Sequence, residues 1–418
     1  MVVAARQAPF YLPDEGAHYL RAYEVSQLHL INLPNAVGVH MPCKEYTVVA
    51  TKYYPIAFLQ TKSAAEQAVA FCQVRTTNTA GGYSFVPYIP AALALAFTDE
   101  LNWTVESKLV AARIANFSVW FSVLFLSLIW LKQGRILIAC LMLIPSFFWQ
   151  LVALSADGAT LTSCLLYIIF VVRIAQRKLA VTRGMLTILV ALGVFIGAAK
   201  GVYSPIALLS FGLWGNLPSR NWFYKFCVLS CPVLAALGIF LAQSAFSDSR
   251  LIYLGNNANP ALQLAFVIQN PLLFMTSMFK STVHMDIVSL VAPTYAVPNP
   301  TLGLWIGFVT FATFAILLIC SGFGIEKRTR LVSGFLVAIG LVGISLPLYL
   351  TYSPVQFDTI LGLQGRYYLP MLPLIFIALA FKATPVPLAN FFHIVQRRMH
   401  WAIYVSMIAL MLAVGNIP

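Results

Sequence analysis

"LVAARIANFSVWFSVLFLSLIWLKQGR", residues 109–135, decides what kind of protein this is. Between Leu109 and Leu131 the only charge is Arg113, and Lys132 and Arg135 then close the run. A helix of about 20 apolar residues covers the roughly 30 Å hydrocarbon core of a bilayer. Inside lipid every backbone polar group must be satisfied within the segment, so such a run reads as a transmembrane helix. Further apolar runs follow at 136–155, 158–173, 184–199, 203–216, 224–243, 301–322, 331–351, 368–383 and 401–416. The stretch 184–216 can also be read as one pair broken around Lys200.

Composition agrees. The 418 residues are 60% hydrophobic and only 9% charged, and mean hydropathy is +0.83. The expected fold is an all-α polytopic membrane protein of about ten transmembrane helices, given the length each span requires. Residues 109–418 form the helical domain, and residues 1–108 a large extracytoplasmic first region. Prolines break 244–300 into short helices, expected to form a second outer loop, and "FVPYIPAALALAF" is short enough to lie at the interface.

The net charge of +13 would suggest nucleic acid in a soluble protein. Here the basic residues occupy alternate loops, as positive-inside bias requires, so no nucleic-acid partner is expected. Lys132 with Arg135, then Arg173 to Arg183, Arg220 with Lys225, "EKRTR" (326–330), and Lys382 with "QRRMH" (396–400) mark the cytoplasmic side. An outward first segment calls for a translocating span before it, and "MVVAA" is too short for one. The expectation is a start further upstream or a truncated form. None of the seven cysteines forms a CxxC pair or a metal-ligand pattern. An extracytoplasmic location would allow Cys43 and Cys72 to form a disulfide.

This topology gathers scattered polar residues at the outer ends of spans. The first group is "YLPDEGAHYLRAY" (11–23). A proline followed by two acids suits a helix first turn, which makes a plain cap the alternative to a functional role. In a helix beginning near Pro13, Asp14, His18 and Arg21 share one face, with Glu15 about 100° away. A carboxylate in a partly dry site is a candidate general base. Asp157 lies in the turn "ALSADGAT", where it either caps the next helix or serves the site. Lys200 either snorkels to headgroups or binds an anion. In "GLQGRYYLP", Gln364, Arg366 and Tyr367 stand at an outer helix start, where arginine suits bidentate capture of a phosphate. Tyr203 follows Lys200 at the same level. Two carboxylates and a histidine would accept a divalent cation, but no HxH or HxxxH spacing supports one, so no metal or cofactor is assigned.

"LPDEGAHYLRAYEVS" (12–26), "IPSFFWQLVALSADGAT" (144–160), "GAAKGVYSPIALL" (197–209) and "LYLTYSPVQFDTILGLQGRYYLPMLPL" (348–374) together resemble the bacterial membrane-protein family called domain of unknown function 2142. That family looks like a branch of the GT-C superfamily of glycosyltransferases. The resemblance implies sugar transfer from a polyprenyl-phosphate donor to a glycan or lipid-linked acceptor at the outer face of the cytoplasmic membrane, in cell-surface glycan biosynthesis. It makes Asp14 or Glu15 the base, Asp157 a second outer acid, and Lys200 and Arg366 contacts for the carrier phosphate. His18, Arg21, Tyr203, Gln364 and Tyr367 complete the expected substrate-binding set. The rival classes are a transporter or flippase of lipid-linked sugars and a non-catalytic or inactive homologue. A transporter predicts paired broken helices and charges near mid-membrane, whereas here the polar residues stand at outer ends, Arg113 apart.

Overall fold

The structure, a computed structural model, describes residues 14–31, 39–53, 71–74, 79–131, 133–142, 144–246, 257–284 and 324–379. The expected spans at 301–322 and 401–416, Lys132, Lys382 and "QRRMH" lie outside the described residues, as does "YLP" (11–13).

The N-terminal region contributes α1 (Glu15–Ser26), a strand pair β1 (Val39–Pro42) and β2 (Phe71–Val74), α2 (Cys43–Tyr53) and α3 (Ile89–Glu100). β1 and β2 are antiparallel with Met41 opposite Cys72. Cys43, two residues beyond Met41, is disulfide-bonded. α3 leaves Ile89, Leu93 and Phe97 exposed, one stripe at helical spacing. Its other face, with Ala91, Ala92 and Leu95, packs with Tyr19, Ala22 and Leu109.

The helical domain follows with α4 (Val105–Ser127), α5 (Arg135–Met142), α6 (Pro145–Val152), α7 (Asp157–Gln176), α8 (Arg183–Lys200) and α9 (Trp222–Phe246), then α10 (Pro260–Gln269), α11 (Pro271–His284), α12 (Lys327–Tyr352) and α13 (Leu372–Leu379). Among the described residues, five helical stretches are long and apolar enough to cross a membrane, or up to seven if each bent pair counts as one. Two of the ten expected spans, 301–322 and 401–416, are not among these residues. α5 and α6 form one such bent pair, at 65°, because Pro145 starts a new helix and cannot donate to the old one.

α7 is the hub. It is buried almost along its whole length, from Gly158 to Ala175, which is why it is apolar all round rather than on one stripe. Its N-terminal end therefore places Asp157 at the centre of one face of the bundle.

The apolar stretch Arg183–Asn216 is a hairpin. Lys200 has an extended backbone (φ −161°, ψ 97°), and the chain continues as a 3-10 helix from Gly201 to Asn216. The two ends come back together: the Val181 amide donates to the Asn216 carbonyl at 2.9 Å, and Asn216 Nδ2 donates to the Leu179 carbonyl at 2.9 Å. α8 and the 3-10 arm thus reach the site face and return, with Lys200 at the turn.

α9 packs parallel to α8 along Gly193, Gly197 and Gly201. A Cβ at these positions would collide with the Pro232 carbonyl, the Ala236 carbonyl and the Phe240 ring in turn. Small residues every four positions let two backbones meet, a common device in membranes.

The far face is marked by basic residues over tryptophans. Arg173 lies 5.6 Å from the Trp130 ring centre, and Lys225 and Arg328 each lie 5.9 Å from that of Trp214. Such rings sit at headgroup level, so the bundle has two distinct rims, one basic and one carrying the polar cluster described next.

Candidate functional site

Four charged residues from four separate parts of the chain meet at the rim opposite Trp214. Asp157 opens α7, and its Oδ1 lies 3.0 Å from Lys200 Nζ at the hairpin turn. Arg366, in the 3-10 turn Gly365–Met371, reaches Asp157 Oδ2 with Nη1 at 4.0 Å and Asp14 Oδ2 with Nη2 at 3.5 Å. The Asp14 side chain is 57% exposed, whereas those of Asp157, Lys200 and Arg366 are 13–19% exposed. The arrangement is two carboxylates and two cations, balanced in charge, with one acid facing outward.

The helix expected near Pro13 begins at Glu15. Asp14 is its N-cap residue, in the left-handed region at φ 61° and ψ 5°, and its side chain caps no helix N–H. Asp14 thus stands just before the helix, where its carboxylate still acts on His18. A non-glycine residue with positive φ is uncommon, although Asp and Asn tolerate it best. The plain-cap alternative does not describe this side chain, which pairs instead with Arg366.

Glu15 has the opposite fate. Both its oxygens are held by Arg113 of α4, Nε to Oε1 at 2.8 Å and Nη2 to Oε2 at 2.6 Å. Both side chains are fully buried, at 0%. This bidentate, desolvated pair bolts α1 to a transmembrane helix. It also explains Arg113, the one charge inside the first apolar run. Arg21 is likewise structural. It is 1% exposed, and it pairs with Glu24 and donates to the carbonyls of His29 and Leu30 at 3.0 and 2.7 Å, closing the turn after α1.

His18 remains by the site. Its Nδ1 shares a 2.7 Å hydrogen bond with the Tyr88 hydroxyl, and its ring stacks on Tyr83 at 5.9 Å with 17° between planes. Burial pushes His18 down to about 4, against the pull of the Asp157 and Asp14 carboxylates. It is neutral at physiological pH. Burial likewise raises the Tyr88 hydroxyl well above its ordinary value, so that partner keeps its proton.

Two tyrosine rings flank the cations. Lys200 Nζ lies 5.7 Å from the Tyr83 ring and 5.2 Å from the Tyr367 ring, and Arg366 lies 5.4 Å from Tyr367. Such contacts favour a cation without adding negative charge. The Tyr203 hydroxyl donates to the Tyr367 carbonyl at 2.8 Å, fixing that turn rather than facing a ligand. Gln364 is exposed at the head of the turn, and its carbonyl accepts from the Tyr367 amide at 3.1 Å. Two contributors, Tyr83 and Tyr88, were not picked out from the sequence, where "FVPYIPAALALAF" reads only as a short interfacial segment. Ser84 ties that segment to the hairpin, donating to the Ala198 carbonyl at 2.7 Å.

Among the described residues no group of three or more His, Cys, Asp or Glu side chains could hold a metal ion. A second polar cluster lies apart. Lys108 pairs with Glu45 at 2.9 Å and with Asp99, and Tyr19 donates to Glu45 at 2.7 Å. It joins α1, α2 and α3 to the start of α4.

No curated protein matches the chain, and neither does any solved structure. A family profile described as "Predicted membrane protein (DUF2142)" matches residues 1–375. That interval contains Asp14, Glu15, Arg113, Asp157, Lys200 and Arg366. The chain belongs to this family of predicted membrane proteins, domain of unknown function 2142.

Proposed function

We propose that the protein is a GT-C-like glycosyltransferase of a bacterial cytoplasmic membrane, transferring a sugar from a polyprenyl-phosphate donor to a glycan or lipid-linked acceptor. The observation that carries this reading is the convergence of Asp14, Asp157, Lys200 and Arg366 at one rim, with Asp14 the exposed acid. The basic rim around Trp130 and Trp214 supports an outward-facing site, since basic loops stay in the cytoplasm.

In this mechanism an acceptor hydroxyl attacks the anomeric carbon. The new C–O bond forms as the bond from that carbon to the polyprenyl-phosphate oxygen breaks. Asp14 takes the hydroxyl proton, and the negative charge left on the phosphate is met by Lys200 and Arg366. Arg366 is suited to this because its pairs with Asp14 and Asp157 are long, 3.5 and 4.0 Å. An incoming phosphate competes for it without breaking a tight bond. Asp157 holds the two cations together while no anion is bound. Glu15 acts through Arg113 as an anchor for the backbone of Asp14.

The test is the mass profile of surface glycans and polyprenyl-linked intermediates in a strain lacking the gene. Loss of one defined sugar mass with accumulation of its lipid-phosphate donor supports the reading. Whole glycans stalled on the cytoplasmic side would make the protein a transporter instead, and an unchanged profile would remove both roles.

A further inference from the structure

Residues 257–284 were expected to belong to a loop outside the membrane. Instead α10 and α11 form an elbow bent by 108°, and together the arms are apolar enough to enter a bilayer. The arms have 10 and 14 residues, about 15 and 21 Å at helical rise. Neither crosses the roughly 30 Å core alone.

Contacts fix how the elbow lies. Near the start of α10, Gln263 Oε1 accepts from the Gln356 amide at 2.8 Å. Near the end of α11, Ser281 Oγ accepts from the Ile360 amide at 2.6 Å, and Lys280 lies 3.7 Å from Asp358. Both ends of the elbow therefore meet the same loop, which follows the end of α12 at Tyr352. Closer to the bend, Phe274 meets the Tyr349 ring of α12 at 5.5 Å, and the apolar cluster around them takes in Phe266 and Val267 and runs down α12 to Leu346, Val342 and Leu341. Leu341 stands about 16 Å below the end of that spanning helix. The bend thus reaches membrane depth while both ends stay at one rim.

Polarity sorts the same way. Gln263, Ser277 and Ser281 are buried against the protein, while Ile268, Leu272 and Phe279 are 70%, 80% and 68% exposed. Facing water, that surface would be an unusually large apolar patch. Facing lipid, it is ordinary.

We infer that α10–α11 is a re-entrant hairpin, embedded in the acyl chains of the bilayer from the rim that carries Asp14 and Arg366, whose polar inner side holds the loop leading to Arg366. Tyr349 of α12 donates to the Phe357 carbonyl of that loop at 2.6 Å, and within the loop Ser353 Oγ accepts from the Leu361 amide at 3.0 Å. Five residues later the chain enters the site at Arg366. The elbow thus links the lipid phase to a site cation, whatever reaction the site performs.

The test uses full-length protein in phosphatidylcholine–phosphatidylglycerol nanodiscs, with Cys227, Cys231 and Cys320 replaced by serine. Nitroxide labels are placed one at a time through Leu272→Cys, Phe279→Cys and Asp358→Cys. Power saturation should show Leu272 and Phe279 accessible to oxygen and shielded from a water-soluble nickel chelate, with Asp358 the reverse. Chelate access at both elbow sites equal to that at Asp358 overturns the inference in favour of a water-facing surface. Access to neither reagent overturns it in favour of cover by another protein or a second copy. The two arms report separately, so one ill-folded variant leaves the other to decide. Combining Gln263→Ala with Ser281→Ala should then raise label mobility at Asp358 at least twofold while leaving elbow depth unchanged. Unchanged mobility would refute the hold on the Arg366 loop.

Discussion

Asp14 and Glu15 are neighbours in sequence and occupy opposite surroundings. Glu15 sits at 0% exposure with both oxygens gripped by Arg113 within 2.8 Å. Asp14 is more than half exposed and meets Arg366 only at 3.5 Å. The first pair is dry, bidentate and short, the character of a fastening. The second is open and long, the character of groups that exchange partners. Because one peptide bond joins them, rigidity at Glu15 becomes position at Asp14. The comparison teaches that paired acids near the start of a membrane protein need not share a task, and that burial rather than residue type assigns it.

The contrast is most strongly strained by removing the partner of Glu15. Arg113→Met leaves a buried carboxylate uncompensated, which costs about 3–5 kcal/mol. Thermal unfolding in detergent should show a large fall in Tm, largely recovered in the double variant Arg113→Met with Glu15→Leu. If both variants fell equally, the pair would not be the fastening described here.

The all-helical membrane fold and the long apolar helices were legible because lipid enforces them locally. Each apolar run declares itself without reference to the rest of the chain. Partnership was not legible. Arg113 lies 98 residues from Glu15, and nothing in either neighbourhood names the other. Arg21 was expected at the site from its spacing to Asp14 and His18. His18 and Arg21 do share the helix, but Glu24 and the carbonyls of His29 and Leu30 claim the guanidinium instead. The elbow was hidden for a related reason: prolines signal a break, but not whether the pieces re-enter the membrane. That depends on packing against α12.

Smaller effects sharpen the open side of the comparison. Lys200→Met should lower sugar transfer about 100-fold, the usual loss when one stabilising donor is removed from a developing anion. The fold should survive, since Arg366 still faces Asp157. Transfer by purified protein from a polyprenyl-phosphate sugar reads this directly, and a rate within threefold of the parent would exclude Lys200 from the phosphate contact. Gly197→Leu forces a side chain against the Ala236 carbonyl. Overpacking of this kind costs about 1–3 kcal/mol, so Tm should fall moderately and transfer should fall with it as Lys200 is displaced. Retained Tm would mean that α8 and α9 separate without penalty.

The smallest effect concerns pH. His18 is held neutral in the folded protein, down to about 4 against an ordinary 6.5. Between these values the unfolded chain binds a proton that the folded one refuses, so stability rises with pH across that window and is level above it. Tm should be flat above pH 6.5 and decline from 6.5 toward 5, and His18→Gln should flatten that part of the slope. A slope unchanged in His18→Gln would assign the acid sensitivity to other groups.

The central claim is tested most directly by comparing Asp14→Asn with Glu15→Gln, each measured for Tm and for restoration of the missing sugar in a gene-deleted strain. Asparagine tolerates the left-handed backbone at this position, so Asp14→Asn changes charge with little strain. The account predicts that Asp14→Asn keeps the parental Tm and loses about 100-fold or more of transfer, within the range for removal of a general base. It predicts that Glu15→Gln lowers Tm first. Full restoration of the sugar by Asp14→Asn, or a fall in its Tm as large as that of Glu15→Gln, would contradict the division of labour between the two acids.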